Sequence, residues 1–276
     1  MTENPIGRAD DRRVAFGEAA EQYDAARPGY PDELVTDVLE FAGPQGADVD
    51  VDTLEVGAGT GKATLAFAAR GVTLTCLEPD PRMAAVLARH CAAMPHVTIE
   101  NVDFESRPAS DRRFGLLLSG QAWHWVDPEV RWRRARELLL PGGAIALFWN
   151  DWLVADESLR HELRDVHHRH LQGLPPHSIV DARPRETVMA PNSWVWEELR
   201  DQEGFTDLEH RLYLSRHTRT TAGTIDLLSS LSSYLILTEE TRRALLSDVS
   251  RTIDAHGGAL ELETRTGLFL ARTTAA

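Results

Sequence analysis

The stretch of residues 51–64 constrains this chain more than any other, because its character changes twice along its length. It begins as an apolar run with β-branched residues and then places glycine at alternate positions, Gly57, Gly59 and Gly61. A helical pattern follows immediately. A strand that turns into a helix through glycines leaves bare backbone N–H groups at the helix N-terminus, where a ligand can approach closely. The stretch therefore predicts a nucleotide-type ligand site in an open α/β sheet.

Two phosphate-binding motifs compete for the same loop. A P-loop requires G-x-x-x-x-G-K-[ST], and the pair Gly61-Lys62 matches its end. However, Val56 stands where the first glycine belongs, and Ala63 stands where the Mg²⁺-binding hydroxyl belongs. A dinucleotide fingerprint requires G-x-G-x-x-G, and Lys62 occupies its third glycine position. The P-loop interpretation therefore fails, whereas the dinucleotide interpretation is weakened but stays open.

The pattern Glu55-x-Gly57-x-Gly59-x-Gly61 resembles motif I of the class I S-adenosylmethionine-dependent methyltransferases. The resemblance implies an α/β fold with a Rossmann-like seven-stranded sheet in the order 3-2-1-4-5-7-6, the last strand antiparallel, helices on both faces and a helical cap insertion. It also implies S-adenosyl-L-methionine as the cofactor, with the three glycines among the residues that bind it. Further motifs in the order that the family shows extend the resemblance over residues 14–150.

A second buried strand is predicted for residues 71–77, and it ends at Glu78. An acidic residue at the end of the second strand can accept hydrogen bonds from both ribose hydroxyls of a bound nucleoside. Glu78 also resembles the motif II carboxylate of the family, which places Met83 near the adenine. After the third strand, the resemblance assigns Asp103 to the adenine amine and Phe104 to the adenine ring. The alternatives are a solvated loop carboxylate at Glu78, a turn residue at Asp103 and a core aromatic residue at Phe104.

Two prolines and a glycine separate two helices that are predicted near the N-terminus. The segment Tyr23-Asp24-x-x-Arg27-Pro28-x-Tyr30-Pro31 resembles a signature of small-molecule methyltransferases similar to trans-aconitate methyltransferase. In that group the N-terminal helix closes over the cofactor. The resemblance therefore implies that Tyr23 and Arg27 bind the methionine end of the cofactor and that Tyr30 lies nearby, at the substrate. The alternative is a surface turn with a fixed kink and an exposed arginine.

A second segment with the same resemblance follows the fourth predicted strand, residues 113–118. Catalytic groups in open α/β sheets collect beyond the strand ends, and here the sequence is Gln121-Ala-x-His124-Trp-x-Asp. The resemblance assigns Gln121 to the cofactor and His124 to catalysis, either as a general base or as the residue that orients the methyl acceptor. A structural role, in which His124 only holds the loop, stays open because an anionic acceptor needs no base.

Large aromatic side chains are expected at the acceptor pocket, since small-ligand pockets have apolar and aromatic walls. We predict this role for Trp123, which follows the fourth predicted strand, and for Trp149, which ends the fifth (residues 144–149). We predict it also for Trp152, which with Trp194 and Trp196 belongs to an insertion that would cap the pocket. Packing against the main domain is the alternative for the tryptophans of the insertion.

We expect one methyltransferase domain over residues 1–276, divided into four regions. These are an N-terminal helical lid (1–42), a cofactor-binding core (43–150), an inserted cap and substrate region (151–200), and C-terminal helices with an antiparallel strand pair (201–276). Several histidines crowd the helix predicted for residues 156–171, but the second histidine of a zinc-binding H-E-x-x-H motif is missing. We therefore predict no metal site.

The overall charge limits the partners of this chain. With a formal net charge of −14 and a pI near 5.2, the protein lacks the basic character that nucleic-acid binding needs. No apolar run reaches the length of a membrane span, the N-terminus shows no signal-peptide pattern, and the two cysteines indicate no disulfide framework. We therefore expect a cytoplasmic protein without nucleic-acid or membrane partners.

Together these patterns predict a methyltransferase that uses S-adenosylmethionine to modify a small-molecule acceptor. Similarity to trans-aconitate methyltransferases favours O-methylation, of a carboxylate or a hydroxyl, with Arg27 and Arg216 as candidate cationic anchors. Natural-product O-, N- or C-methylation is also compatible with the fold. Two alternatives stay open: an NAD-dependent oxidoreductase on a Rossmann core, and a cofactor-binding protein without catalytic activity. The sequence predicts neither the acceptor nor the oligomeric state.

Overall fold

The computed structural model describes residues 20–43, 52–108, 112–175, 178–181 and 193–274, except for the side chains of Gln22 and Tyr23. The first part of the predicted N-terminal lid and part of the predicted insertion lie outside these residues. Within the described ranges the chain alternates strands and helices, as expected of an α/β fold.

A seven-stranded sheet forms the centre of the fold. Its strands are β1 (Thr53–Val56), β2 (Leu74–Leu77), β3 (Val97–Glu100), β4 (Phe114–Gly120), β5 (Leu139–Val154), β6 (Phe205–Thr220) and β7 (Ala259–Thr273). They follow one another across the sheet in the order β3-β2-β1-β4-β5-β7-β6. All neighbouring pairs from β3 to β5 run parallel, so the carboxyl ends of these strands lie at one edge of the sheet.

The strand β7 runs antiparallel to β5. Thr273, at the end of β7, donates from its hydroxyl to the carbonyl of Leu140 at the start of β5. Glu261, near the start of β7, accepts from the amide of Ala155 just beyond β5. The predicted fold class, with its strand order and its antiparallel last strand, is therefore confirmed.

Helices connect most of the strands. They are α1 (Ala20–Ala26), α2 (Asp32–Ala42), α3 (Lys62–Ala68), α4 (Pro81–His90), α5 (Arg131–Leu138), α6 (Glu157–His170), α7 (Trp194–Asp201), α8 (Thr221–Ser229), α9 (Ser232–Leu235) and α10 (Glu239–Ala255). The carboxylates of Asp80 and Asp156 cap α4 and α6 by accepting from backbone amides of the first turn, which fixes where these helices begin. Within the described ranges, no helix has the length and apolar character that a membrane span requires.

The chain divides into two compact units, each built from separate segments. The core unit comprises Pro28–Asn150, Pro184–Tyr213 and Thr266–Ala276. The helical unit comprises Met1–Arg27, Asp151–Arg183 and Leu214–Arg265. Most of the predicted insertion (151–200) and most of the predicted C-terminal region (201–276) therefore belong to the helical unit, although the sequence predicts them as separate regions.

In the core unit, alternate residues of β4 belong to two different apolar clusters. Leu116 and Leu118 pack in a cluster that includes α2 and α3, whereas Leu117 packs in a second cluster that includes α5 and α7. This period of two is that of a strand covered on both faces. Burial on both faces fixes the register of the strands and hence the position of the loops that follow them.

The helical unit has an apolar core of its own, formed by α6, α8, α10 and the end of β5. The ring of His167 lies inside this core. Its Nδ1 donates to the carbonyl of Leu163 over 2.7 Å, and its Nε2 accepts from the hydroxyl of Tyr234 over 2.6 Å. Burial lowers the pKa of His167, so the ring is held in its neutral form.

The strand β5 is longer than the sequence pattern predicts. The apolar run ends at Trp149, but the strand continues through the polar Asn150 to Val154. Asn150 is only 7% exposed. Its Nδ2 donates to the carbonyl of Gly29 over 3.1 Å, and its Oδ1 accepts from the hydroxyl of Thr266 over 2.6 Å. Because both ends of the amide are hydrogen-bonded, the polar side chain is tolerated inside the sheet.

Two other elements differ from their predicted bounds. The sequence pattern predicts a strand over residues 205–214, and β6 extends beyond it to Thr220. The pattern also predicts one helix over residues 222–237, which the structure divides into α8 and α9 around Ser230. The hydroxyl of Ser230 donates to the carbonyl of Leu227 over 2.7 Å, and such local hydrogen bonds compete with helix continuation.

Candidate active site

The glycine loop (residues 57–61) joins β1 to α3 through backbone angles that favour glycine. Gly57, Gly59 and Gly61 have φ angles of 71°, 60° and 99°. A β-carbon at Gly57 would lie 2.3 Å from that of Ala122, and one at Gly61 would lie 2.6 Å from the Cδ1 of Leu87. The loop therefore needs glycine at these two positions for its packing as well as for its conformation.

Gly59 differs from the other two glycines, because a β-carbon there would contact only the methyl group of Met83, at 3.6 Å. Met83 belongs to α4 and is itself buried. The structure thus places Met83 against the glycine loop. Its predicted contact with the adenine stays a prediction.

Glu78 lies at the end of β2 and is hydrogen-bonded to the glycine loop. Its Oε2 accepts from the amide of Gly59 over 2.8 Å, and its Oε1 accepts from the amide of Asp80 over 2.9 Å. The Nδ2 of Asn101, beyond β3, donates to the Glu78 carbonyl over 2.6 Å. Glu78 is only 7% exposed, so it is not the solvated loop carboxylate of the alternative interpretation.

The glycine loop and Glu78 together fit the nucleoside part of the implied cofactor. The loop supplies backbone amides at the start of α3, where a β-carbon would restrict access. A carboxylate can accept several hydrogen bonds, and a carboxylate at the end of the second strand is the expected acceptor for ribose hydroxyls. This donor and acceptor set is suited to an adenosyl group.

Asp103 and Phe104, which follow β3, have contacts of two different kinds. The Oδ1 of Asp103 accepts from the amide of Ser106 over 2.6 Å, which forms a local turn. Phe104 is buried, and its ring centroid lies 5.6 Å from that of Trp123. These are the contacts of a turn residue and a core residue, and the predicted adenine contacts of both stay predictions.

Trp123 is fully buried, and its ring also packs on that of Trp132 at 5.4 Å. Its Nε1 has no hydrogen-bond partner among the described residues. The structure therefore shows a packing role for Trp123. The predicted contact with the acceptor stays a prediction, and it would require the ring to become accessible.

The strand β4 ends in a turn at Gln121, whose φ angle of 60° is uncommon for a residue other than glycine. The amide of Gln121 donates to the carbonyl of Phe148, and its Nε2 donates to the carbonyl of Asn150, each over 2.9 Å. The next residue is Ala122, which contacts Gly57. Backbone strain of this kind clusters at functional sites, and here it brings the turn against the glycine loop.

His124 lies in the short 3₁₀ turn Trp123–Trp125 that follows. It is exposed, and its Nδ1 accepts a hydrogen bond from the Nε1 of Trp149 over 3.2 Å. Arg131 holds the same turn, because its Nη1 donates to the carbonyls of Trp123 and Val126 over 3.4 and 3.3 Å. The predicted catalytic histidine is therefore fixed beside one predicted substrate residue.

Trp149 belongs to an aromatic cluster in the core unit, formed by Trp149, Trp194, Trp196, His210 and Phe269. Its ring packs edge-on against Trp194 at 5.8 Å and against Phe269 at 6.0 Å. Trp194 is 41% exposed. Burial lowers the pKa of His210, so this ring is neutral and adds to the apolar character. The sequence pattern does not reveal His210 or Phe269, because they come from β6 and β7, far along the chain.

Tyr30 is placed at the same strand ends. Its ring packs edge-on against Phe148 of β5, with centroids 4.6 Å apart. A β-carbon at Gly120 would lie 2.6 Å from the Tyr30 hydroxyl oxygen, so the end of β4 must be a glycine for this ring to fit. With Asn150 bonded to Gly29, the segment that contains Tyr30 is anchored to the edge where His124 lies.

Other predicted site residues lie in the helical unit. Arg27 donates from its Nε to the hydroxyl of Ser230 over 3.0 Å, and its guanidinium lies 5.2 Å from the ring centroid of the buried Trp152. Arg216 forms ion pairs with two glutamates of β7. The side chain of Tyr23 lies outside the described residues. The cofactor and substrate roles of these residues stay predictions.

Glu55, at the start of the glycine motif, is almost fully buried. Its Oε2 accepts from the hydroxyl of Thr64 over 2.6 Å, and the thiol of Cys76 lies 3.4 Å from the same oxygen. Burial raises the pKa of Glu55 to about 7, and these two hydrogen bonds only partly oppose it. Burial also raises the pKa of Cys76, which therefore remains a thiol. The register that pairs Glu55 with Cys76 across β1 and β2 is what brings these groups together.

Across the described parts of the chain, no three His, Cys, Asp or Glu side chains are arranged to hold a metal ion. Two histidines of α6 have other partners instead: His167 bonds to Tyr234, and the Nε2 of His170 lies 2.9 Å from a carboxylate oxygen of Asp248.

Two comparisons match this chain to methyltransferases. Residues 54–147 match a family model described as a methyltransferase domain. An uncharacterised methyltransferase from Mycobacterium bovis is 31% identical over 248 residues, which cover 89% of this chain and 88% of that protein.

Solved structures show the same fold. A candidate type II methyltransferase from Anaeromyxobacter dehalogenans superposes with a TM-score of 0.66 at 20% identity, covering 91% of this chain and 99% of that one. A phosphoethanolamine N-methyltransferase from Haemonchus contortus, solved with phosphomonomethylethanolamine and S-adenosylhomocysteine, gives 0.52 at 16% identity, covering 94% of this chain and 57% of that one.

Three observations agree on the family. They are the similarity to a methyltransferase over 89% of this chain, the matched domain, and the sheet order with its glycine loop and Glu78. The dinucleotide interpretation has no comparable support. This chain belongs to the methyltransferase family, as a class I enzyme that uses S-adenosylmethionine.

Proposed function

We propose that this protein transfers the methyl group of S-adenosylmethionine to an oxygen atom, of a carboxylate or a hydroxyl, on a small molecule. One observation carries the proposal: Ala122 contacts Gly57, so the turn that contains His124 lies against the glycine loop. The glycines predicted for the cofactor and His124, predicted for catalysis, therefore lie at one edge of the sheet. The net charge of −14 argues against a nucleic acid as the acceptor.

Each group at this edge has a separate task. The bound cofactor supplies a methyl group on a positively charged sulfur, which is already a strong electrophile. The glycine loop and Glu78 hold the nucleoside, and His124 orients the acceptor. Positioning of two reactants can contribute on the order of 7–11 kcal/mol. The aromatic cluster beside His124 displaces water, which strengthens the polar contacts that remain.

Within the family, we place this chain near the trans-aconitate methyltransferase-like group. The support is the pair of segments at residues 23–31 and 121–127, which match that group in residue type and spacing. In the structure the second of these segments lies against the glycine loop through Ala122, and Tyr30 of the first packs on Phe148 at the strand ends. An oxygen acceptor is the choice that this similarity favours.

The first experiment tests the cofactor. Thermal unfolding of the purified protein is followed with S-adenosylhomocysteine and, separately, with NADH. We expect S-adenosylhomocysteine alone to raise the melting temperature, because a ligand that binds only the native state stabilises it. Stabilisation by NADH alone would support the oxidoreductase instead.

The second experiment tests the acceptor. Transfer of labelled methyl groups from S-adenosylmethionine is measured with a panel of small carboxylates that includes trans-aconitate, and with alcohols, phenols, amines and thiols of similar size. We expect product with carboxylates or hydroxyl compounds. Transfer to amines or thiols only would contradict the proposed O-methylation, and binding of the cofactor without any transfer would support a non-catalytic protein.

A further inference from the structure

The hydrogen bond between Trp149 and His124 determines where the imidazole carries its proton. The Nε1 of Trp149 lies 3.2 Å from the Nδ1 of His124. An indole nitrogen can only donate, so the Nδ1 of His124 must accept. A neutral imidazole has one protonated nitrogen. In His124 that nitrogen is therefore Nε2.

Both partners of this hydrogen bond are held by independent contacts. The indole of Trp149 is fixed between the rings of Trp194 and Phe269, which lie edge-on to it at 5.8 and 6.0 Å. The turn that carries His124 is fixed by Arg131, which donates to two of its carbonyls. The indole and the backbone of the turn are thus held by other contacts, so the hydrogen bond from Trp149 can select one tautomer of His124.

We propose that Trp149 is a positioning residue that holds His124 as an Nε2–H donor, so that His124 orients the acceptor by donating a hydrogen bond and does not act as its general base. This inference rests on the proposed methyl transfer. Nε2 already carries a proton, so a proton taken from the acceptor would have to reside on Nδ1. There the new N–H would face the indole N–H of Trp149. Two hydrogen-bond donors would then point at each other, and the hydrogen bond between Trp149 and His124 would be lost.

The tautomer narrows the class of acceptor. An acceptor that needs no base must present a lone pair without losing a proton, and a carboxylate oxygen does so at neutral pH. In the proposed transfer, a carboxylate oxygen forms a bond to the methyl carbon as the bond between that carbon and sulfur breaks. The electron pair of the broken bond stays on sulfur. The products are a neutral ester and a neutral thioether, and no proton is released. An alcohol would release a proton that His124 in this form does not take.

Nuclear magnetic resonance can read the tautomer without any acceptor. The protein is labelled with ¹⁵N-histidine and saturated with S-adenosylhomocysteine, and long-range ¹H–¹⁵N correlations distinguish a protonated ring nitrogen from an unprotonated one. The chain has 11 histidines, and the signals of His124 are identified by their absence in His124→Gln. We expect a protonated Nε2 and an unprotonated Nδ1. A protonated Nδ1 would overturn the proposal.

Two tryptophan variants separate the role of Trp149 from general packing. Trp149→Phe keeps a ring beside Trp194 but removes the indole N–H, so the His124 signals should shift towards a mixture of tautomers. Trp196→Phe is the matched control, because Trp196 packs in the same cluster, on His210 and Phe269. It should leave the His124 signals unchanged. Equal shifts in both variants would contradict a specific role for Trp149.

Turnover provides a second readout, with whichever carboxylate of the panel is methylated fastest. His124→Gln places an amide donor near the position of Nε2 but cannot act as a base, so we expect it to lower kcat by only about threefold. His124→Leu removes the donor and should lower kcat by about tenfold to a hundredfold. Equal losses in the two variants would indicate a base and refute the donor role.

The two proposals fail in different ways. If S-adenosylhomocysteine neither binds nor stabilises the protein, the proposed function fails. If it binds, and methyl transfer occurs, but the Nδ1 of His124 is protonated, only the inference about Trp149 and His124 fails.

Discussion

Two glutamates flank the glycine loop, and the structure holds them in opposite ways. Glu55 lies within the sheet, where its carboxylate contacts the hydroxyl of Thr64 and the thiol of Cys76. Glu78 lies at the edge of the sheet, where two backbone amides donate to its two oxygens. Burial raises the pKa of Glu55 to about 7. Glu55 lies within β1 and Glu78 directly follows the neighbouring strand β2, and we predict a ligand contact only for Glu78.

The contrast between Glu55 and Glu78 indicates that a carboxylate inside the sheet and one at its edge serve different purposes. At the edge of the sheet, the amides of Gly59 and Asp80 hold the Glu78 carboxylate against the glycine loop, where we propose that it meets the nucleoside. Inside the sheet, Glu55 connects β1 with α3 through Thr64, which fixes the start of the helix beneath the ligand. We therefore assign binding to Glu78 and support of the loop to Glu55.

The largest effect is expected from Glu78→Ala. Alanine removes the charged carboxylate to which two ribose hydroxyls would donate. The loss of these hydrogen bonds should weaken S-adenosylhomocysteine binding by about 4 kcal/mol, roughly a thousandfold. Isothermal titration calorimetry measures the affinity. Glu55→Gln is the matched control, and we expect its affinity within about threefold of the wild type. Equal losses of affinity in the two variants would contradict the assignment of cofactor binding to Glu78 and of loop support to Glu55.

Glu55→Gln should have its main effect on stability, and this effect should depend on pH. The native pKa of about 7 lies above the reference value of 4.5. The native state therefore retains a proton that the unfolded chain releases. The stability that this proton contributes is fully present below the unfolded-state pKa of 4.5 and is lost as pH rises through about 7. The free energy of unfolding should fall by about 3 kcal/mol over this range.

Urea unfolding at about pH 5 and about pH 8 tests this expectation. Because glutamine cannot ionise, we expect Glu55→Gln to be more stable than the wild type by about 3 kcal/mol at the higher pH and by much less at the lower pH. A difference between the two proteins that stays constant with pH would show that Glu55 does not titrate in this range.

The sequence predicts the fold because its signals are local. Glycines at alternate positions, buried strands of period two and helical patterns are all visible in short windows. The order of the strands, which the structure confirms, is implied by the resemblance of these motifs to a known family. The glycine loop and Glu78 are predicted for the same reason, since they lie within one strand–helix–strand unit.

The parts that the sequence does not predict depend on contacts between distant segments. Trp149 donates to His124, 25 residues earlier in the chain, and Asn150 bonds to Gly29 and Thr266. The polar Asn150 ends an apolar run, so the pattern predicts the end of β5 where the strand in fact continues. Such polar residues are buried only because partners from elsewhere satisfy them, and no local pattern reveals those partners.

A smaller effect is expected from Thr64→Val, which keeps the shape of the side chain and removes the hydroxyl that donates to Glu55. Above about pH 7 the ionised Glu55 would lose this donor, at a cost of about 2 kcal/mol in unfolding free energy. Thr60→Val is the matched control, because Thr60 is equally buried and its hydroxyl has no partner among the described residues. If the two variants had the same stability, the Thr64 hydrogen bond would not support Glu55.

The smallest effect is expected from Asn101→Ala, which acts on Glu78 only through the backbone. The Nδ2 of Asn101 donates to the carbonyls of Glu78 over 2.6 Å and of Pro79 over 3.2 Å. Loss of these neutral hydrogen bonds to the backbone should cost about 1 kcal/mol. Because the two amides that hold the carboxylate remain, S-adenosylhomocysteine affinity should fall by about fivefold or less. A loss as large as that of Glu78→Ala would mean that the position of the β2 end, more than the carboxylate itself, determines cofactor binding.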